Sequence, residues 1–244
     1  MRDSFLFTDV KALLPLAALW LIAGASSAAT IVPVDSTDHS SGLSTPIRNE
    51  PRTLQMVFSA SLLSGIPTGS EISGLGFRLF GGTSFAWPLE AASWVQYDIQ
   101  LSSSRNAPGS LSPVFDENIG ADAVMVRSGA LEMVTGNFPA GGSPNAFGAA
   151  ISFSTPFIYK GTDLLITIRH SGNGTSGDTP LESTSTAGAY QLLTGSGYDA
   201  ETGTENEMLV TQLIYTVPES STLGIVTVGA CLMLFRRSPR QFAA

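Results

Sequence analysis

The sequence predicts an all-β fold, a two-sheet β-sandwich of jelly-roll type, flanked by an N-terminal signal helix and a C-terminal apolar sorting helix. Three observations predict it. Charged residues are 13% of the 244, about half the usual quarter, which argues against helical bundles and coiled coils. Apolar and polar residues alternate with period two in short runs through the middle of the chain, the pattern of half-buried strands. Clusters of Gly, Pro, Ser and Asn separate nearly all of these runs, and no long helical period intervenes.

In chain order, residues 1–29 read as a secretory signal peptide. Arg2 and Lys11 precede an apolar run from Ala12 to Ala23, and the small residues Gly24 to Ala29 lead into a polar stretch. About 12 apolar residues rise only roughly 18 Å as a helix, short of the ~30 Å hydrocarbon core, so a cleaved signal is preferred to a permanent anchor. Ser27 and Ala29 suit the −3 and −1 positions, giving cleavage after Ala29; Ser26 and Ala28 are the alternative frame. Residues 30–52 show no sustained pattern and read as a linker or an edge strand.

Residues 53–216 form the predicted sandwich. Leu54, Met56 and Phe58 alternate with Gln55 and Ser59, and Ile72 to Phe80 follows the turn Pro67-Thr68-Gly69. Val95, Tyr97, Ile99 and Leu101 alternate with Trp94, Gln96, Asp98 and Gln100, so the first set is expected inside and the second toward water. Ala123–Arg127, Ala130–Val134, Ala149–Ser154, Leu164–Arg169, Tyr190–Leu193 and Met208–Tyr215 complete the expected strands, with at most one helical turn in Phe115–Ala121.

Residues 217–244 close the chain with three parts in fixed order. Val217-Pro218-Glu219-Ser220-Ser221-Thr222 precedes the apolar stretch Leu223 to Phe235, which is followed by Arg236, Arg237 and Arg240. Pro218 stops a preceding strand because it offers no N–H, and the cationic cluster suits the cytoplasmic face of a membrane. This order resembles the PEP-CTERM sorting signal, with Ser220 standing where family members usually carry a second proline. The order Trp87-Pro88, Trp94 to Leu101, Asn118 to Asp122 and Pro156 to His170 also resembles the β-rich body of a set of PEP-CTERM proteins, a likeness that brings no activity with it. The resemblance implies a Gram-negative host that makes extracellular polysaccharide. It also implies a membrane partner, an exosortase-type transpeptidase that reads Val217 to Thr222 with Arg236 and Arg237 and cuts near Pro218 and Glu219.

Charge narrows the remaining partners. Between Thr30 and Thr216 there are 17 acidic and 7 basic residues, so the body is near −10, and Lys160 is its single lysine. Such a surface disfavours nucleic acid and suits neutral sugars or cations. With Cys231 inside the apolar tail, the body is built without disulfides.

Catalytic constellations are thin, and neither an enzyme nor a cofactor is predicted. His39 and His170 are the only histidines and lack locally spaced metal partners; His170 reads as a surface or loop hydrogen-bonding residue. Neither Ser171 nor Gly195-Ser196-Gly197, read as loop, carries a nucleophile elbow. Asp116, Glu117, Asn118 and Asp122 offer oxygen ligands for Ca²⁺, although a solvated acidic loop is the plainer reading because the EF-hand pattern is absent. Trp87, Trp94, Tyr97 and Tyr159 are either core or a sugar-stacking platform. The expected function is therefore an exported, non-catalytic protein of the cell envelope or extracellular polysaccharide matrix, anchored in the membrane until processed. The alternative is a carbohydrate-binding module, with or without calcium.

Overall fold

The computed structural model describes residues 27–33, 40–174, 178–185 and 188–217. The predicted signal helix and the sorting segment beyond Val217 lie outside the described residues. No helix among the described residues is long and apolar enough to cross a membrane.

Strand accounts for 48% and helix for 4%, far above and far below ordinary base rates, so the fold is all-β. The strands are β1 Ser27–Val32, β2 Ser40–Leu43, β3 Arg52–Phe58, β4 Glu71–Phe77, β5 Ala92–Trp94, β6 Tyr97–Ser103, β7 Val124–Arg127 and β8 Leu131–Met133. They continue with β9 Ile151–Ile158, β10 Leu164–His170, β11 Leu181–Thr184, β12 Tyr190–Ser196, β13 Thr204–Asn206, β14 Met208–Leu209 and β15 Thr211–Thr216. A four-stranded sheet, β1-β15-β4-β9, and a six-stranded sheet, β13-β12-β3-β10-β6-β7, carry the core. Two smaller sheets, β14-β11-β2 and β5-β8, complete the sandwich-like body.

The antiparallel register of the larger sheet explains which residues are buried. Leu192, Met56, Ile166, Leu101 and Val124 form one cross-strand row, and Leu54, Ile168 and Ile99 form the next. Side chains along a strand alternate faces, so these rows all point inward. They join Ile72, Leu75, Phe77, Ile151, Leu213 and Tyr215 of the four-stranded sheet in a single apolar core. At the rim, Arg78 makes a buried ion pair with Glu182 and lies 5.1 Å from the Phe147 ring centroid, tying the end of β4 to β11.

The structure corrects the expected reading of residues 94–101. Trp94 is 1% exposed and Val95 81%, the reverse of the alternation, because the chain bends at Val95. Residues before the bend pair with β8 and those after it with β10 and β7, so the period of β6 does not extend back to Trp94. Gly195 and Ser196, read as loop, are the last residues of β12.

The intervening rows of the six-stranded sheet face outward, and part of that outer face is also covered. The segment from Arg105 to Asp122, with a single 3-10 turn at Phe115–Asn118, folds across it and buries Leu111 and Phe115 on Val57, Leu165 and Leu193. Three buried amides fasten it. Gln55 Nε2 donates to Phe115 O at 2.9 Å, Asn118 Nδ2 donates to Gln55 Oε1 at 3.0 Å, and Gln191 Oε1 accepts from the amides of Gly109 and Leu111. The Phe115 ring is seated where a side chain is missing: a Cβ on Gly203 would stand 2.5 Å from its Cζ.

Phe115→Ala should destabilise the protein by about 3–5 kcal/mol, the usual cost of an aromatic-to-alanine change in a core. Gly203→Ala should also destabilise it by displacing the ring. Urea unfolding of each variant against wild type checks both, and a Phe115 effect near zero would mean the segment is not fastened as described.

Candidate functional site

Beside the covering segment the outer face holds a groove of about 210 Å³ lined by Asp98, Gln100, Asp116, Ile119, Met125, Thr167 and Arg169. Register brings these residues together. Thr167 of β10 is opposite Gln100 of β6, Gln100 is opposite Met125 of β7, and Arg169 is opposite Asp98. Asp116 and Ile119 belong to the covering segment and form the wall. Alternation places Asp98 and Gln100 toward water; that β6, β7 and β10 are neighbours is a long-range fact that alternation cannot carry.

Asp98 and Arg169 are held in place. Gly129 N donates to Asp98 Oδ1 at 2.9 Å, and the Tyr198 hydroxyl donates to Oδ2. Burial would raise the Asp98 carboxyl pKa, but the hydrogen bonds from Tyr198, Gly129 and Ser128, with the Arg127 charge, hold it below the usual range. The same bond to Asp98, together with burial, pushes Tyr198 up to about 12. Arg169 Nη1 donates to Tyr198 O, Ala200 O and Thr53 Oγ1 at 3.1, 3.2 and 3.3 Å. A glycosidase acid requires a carboxyl whose pKa is raised, and Asp98 is shifted the other way. The volume lies below the roughly 300–1,000 Å³ of ordinary small-molecule pockets, so the groove suits one small polar ring or group.

The other sequence-derived candidates take separate places. Asp116 lines the groove, while Glu117 accepts from the Ser112 hydroxyl and Asn118 is buried in the amide network. Asp122 accepts from the Ser103 amide and hydroxyl at 2.8 Å each and pairs with Lys160 at 3.0 Å. Of the four expected calcium ligands, Glu117, Asn118 and Asp122 are thus committed to different partners, and Asp116 stands apart from them on the groove wall. No cluster of three or more His, Cys, Asp or Glu that could hold a metal occurs among the described residues. His39 and Cys231 lie outside the described residues, as do Pro218 to Thr222, Arg236 and Arg237. Ala29 is the third residue of β1, opposite Ile214, and Val217 directly follows β15.

Trp87, Trp94, Tyr97 and Tyr159 are all buried, between 0 and 4% exposed, so they form no stacking platform. Trp94 meets the Tyr97 ring edge-on at 5.7 Å between centroids, and Trp87 tilts against both Trp94 and Phe138. The expectation of a surface or loop role for His170 is also corrected: it is fully buried and stacked on Tyr97, with centroids 5.6 Å apart. Its Nε2 lies 2.7 Å from Thr45 O and its Nδ1 accepts from Gly172 N at 3.1 Å, a pair of contacts that fits the neutral ring with its proton on Nε2. Gly172 can turn back to make that bond because its φ of +80° is open to glycine. It also lies where a Cβ would stand 2.3 Å from Asn49 O.

Comparison with protein-family models, with curated proteins and with solved structures finds no match to this chain.

Burial lowers the His170 pKa from 6.5 to about 4. As the pH falls, the unfolded chain therefore takes up a proton before the native one does. The stability linked to His170 is complete above about pH 6.5 and is lost between 6.5 and 4, at about 1.4 kcal/mol per pH unit and roughly 3 kcal/mol in all. Urea midpoints from pH 7.5 to 4 should fall in wild type and be flatter in His170→Gln. Equal slopes would remove His170 as the titrating group.

Proposed function

We propose that this protein is an exported, non-catalytic β-sandwich of jelly-roll type that works at the cell envelope or outside the cell. A signal peptide sends it across the membrane, and a PEP-CTERM-like tail hands it to an exosortase-type transpeptidase. The observation that carries this reading is the terminal pair: Ser27 at the start of β1 is opposite Thr216 at the end of β15. Both address segments therefore leave the body at one end of one sheet. Ala23 is four residues from Ser27 and Leu223 is seven from Thr216, so the links reach at most about 14 and 25 Å when extended. A body with this layout can hang from one membrane face by either segment without unfolding.

A body near −10 with one lysine supports work beside neutral polymers, and it disfavours polyanions. The second reading is a carbohydrate-binding module, favoured by the groove, where a fixed carboxylate and guanidinium flank Gln100 and Thr167. Those groups match sugar hydroxyls by hydrogen bonding. The burial of Trp87, Trp94, Tyr97 and Tyr159 counts against a stacking mode.

Replacing Pro218 and Glu219 with Ala should leave the chain exported but uncut and retained in the membrane through Leu223–Phe235. The physical reason is that Pro218 removes a backbone donor and keeps Val217 extended, the form a protease grips. Molecular mass and membrane fractionation of wild type and variant, in hosts with and without an exosortase, provide the measurement. Release at the same mass in both hosts would make the tail an ordinary anchor cut by a general protease.

A further inference from the structure

Among the described residues, strand β1 is an edge strand paired with β15 alone, and all six of its residues are in register, from Ser27 opposite Thr216 to Val32 opposite Thr211. Cleavage after Ala29 would remove Ser27, Ala28 and Ala29, and with them the rungs to Thr216, Tyr215 and Ile214. Three rungs would remain. The loss would not be confined to the backbone, because Ala28 packs on the main core opposite Tyr215, which is 7% exposed. Cleavage after Ala28 would remove two rungs and the same packed alanine.

The sequence just ahead of the strand offers a frame that spares it. Ala23-Gly24-Ala25 places alanine at both the −3 and −1 positions of the Ala25–Ser26 bond, with glycine between, directly at the end of the apolar run. We propose that the signal peptidase of the host hydrolyses the Ala25–Ser26 bond, so that the mature chain begins at Ser26 and keeps β1 whole. The inference rests on the export reading above and names its processing site. Water adds to the Ala25 carbonyl carbon and the C–N bond breaks. Ala25 keeps the new carboxylate, and Ser26 leaves as an amine that takes up a proton at neutral pH. No oxidant, reductant or cofactor is required. The two cuts then flank the same terminal rung: one falls just before Ser27, the other just after Thr216 near Pro218.

The test uses the full chain expressed in a Gram-negative host, with intact mass and N-terminal sequencing of the exported form. The expected first residue is Ser26. A chain that starts at Ala29 or Thr30 overturns this frame while leaving the export reading intact; a chain that retains Met1 overturns both. Ala25→Leu should abolish processing at this bond and accumulate the precursor, whereas Ala29→Leu should be processed as wild type. Normal processing of Ala25→Leu, or precursor accumulation in Ala29→Leu, would overturn the proposal.

Discussion

The register of β3 against β10, and of β10 against β6, is the constraint on which the rest of the molecule depends. Because side chains alternate along a strand, a slip of one residue would send Leu54, Met56 and Phe58 to the outer face and Gln55 inside. The inner rows have no such tolerance, since they meet a second apolar sheet. The outer rows are fixed by the same choice. Gln55, Thr167 and Gln100 lie in one line across three strands because their apolar neighbours do. Groove and core are two faces of a single decision about pairing.

Buried polar groups then select one arrangement of the segments laid over that sheet. Gln55, Asn118 and Gln191 are deeply buried, and each would be costly without partners. Their amides are matched to the backbone of residues 109–118, so the covering segment is specified by hydrogen bonds as well as by Phe115 and Leu111. His170 does the same on the inner side for the turn at Thr45–Ile47, whose carbonyl at Thr45 it satisfies. Arg78 and Glu182 meet as a buried ion pair, whose desolvation cost offsets much of its attraction, so the pair adds less stability than its burial suggests.

Much of the fold was legible because period-two alternation is local. β3, β4, β7, β8, β10 and β12 fall where the alternation and turn clusters put them. The failures have physical causes. β11 is hidden because all four of its residues, Leu181, Glu182, Ser183 and Thr184, are buried, so no alternation exists to be read, and the charge of Glu182 is met by Arg78 from β4. β1 is hidden in the small residues that also suit a signal peptide, since Ser and Ala serve a protease and a strand alike. Trp94 misled because a bend at Val95 breaks the phase. The groove could not be read at all: Asp98, Gln100, Thr167 and Arg169 are unremarkable polar positions until strand order makes them neighbours.

The terminal rung ties the start of β1 to the end of β15. An edge strand presents unpaired backbone groups on its outer side, and of the two strands in this rung β1 is the edge among the described residues. β15 lies between β1 and β4, so it is a central strand and cannot be trimmed without opening the four-stranded sheet. β1 is the edge, yet its Val32 is buried and its Ala28 packs on the core, so it too has little to spare. A cut that leaves this sheet whole would therefore have to fall outside Ser27 and Thr216. On the proposed export reading, a cut at Ala25–Ser26 and one near Pro218 would meet that condition and keep every strand, whereas the cut expected after Ala29 would fall inside β1.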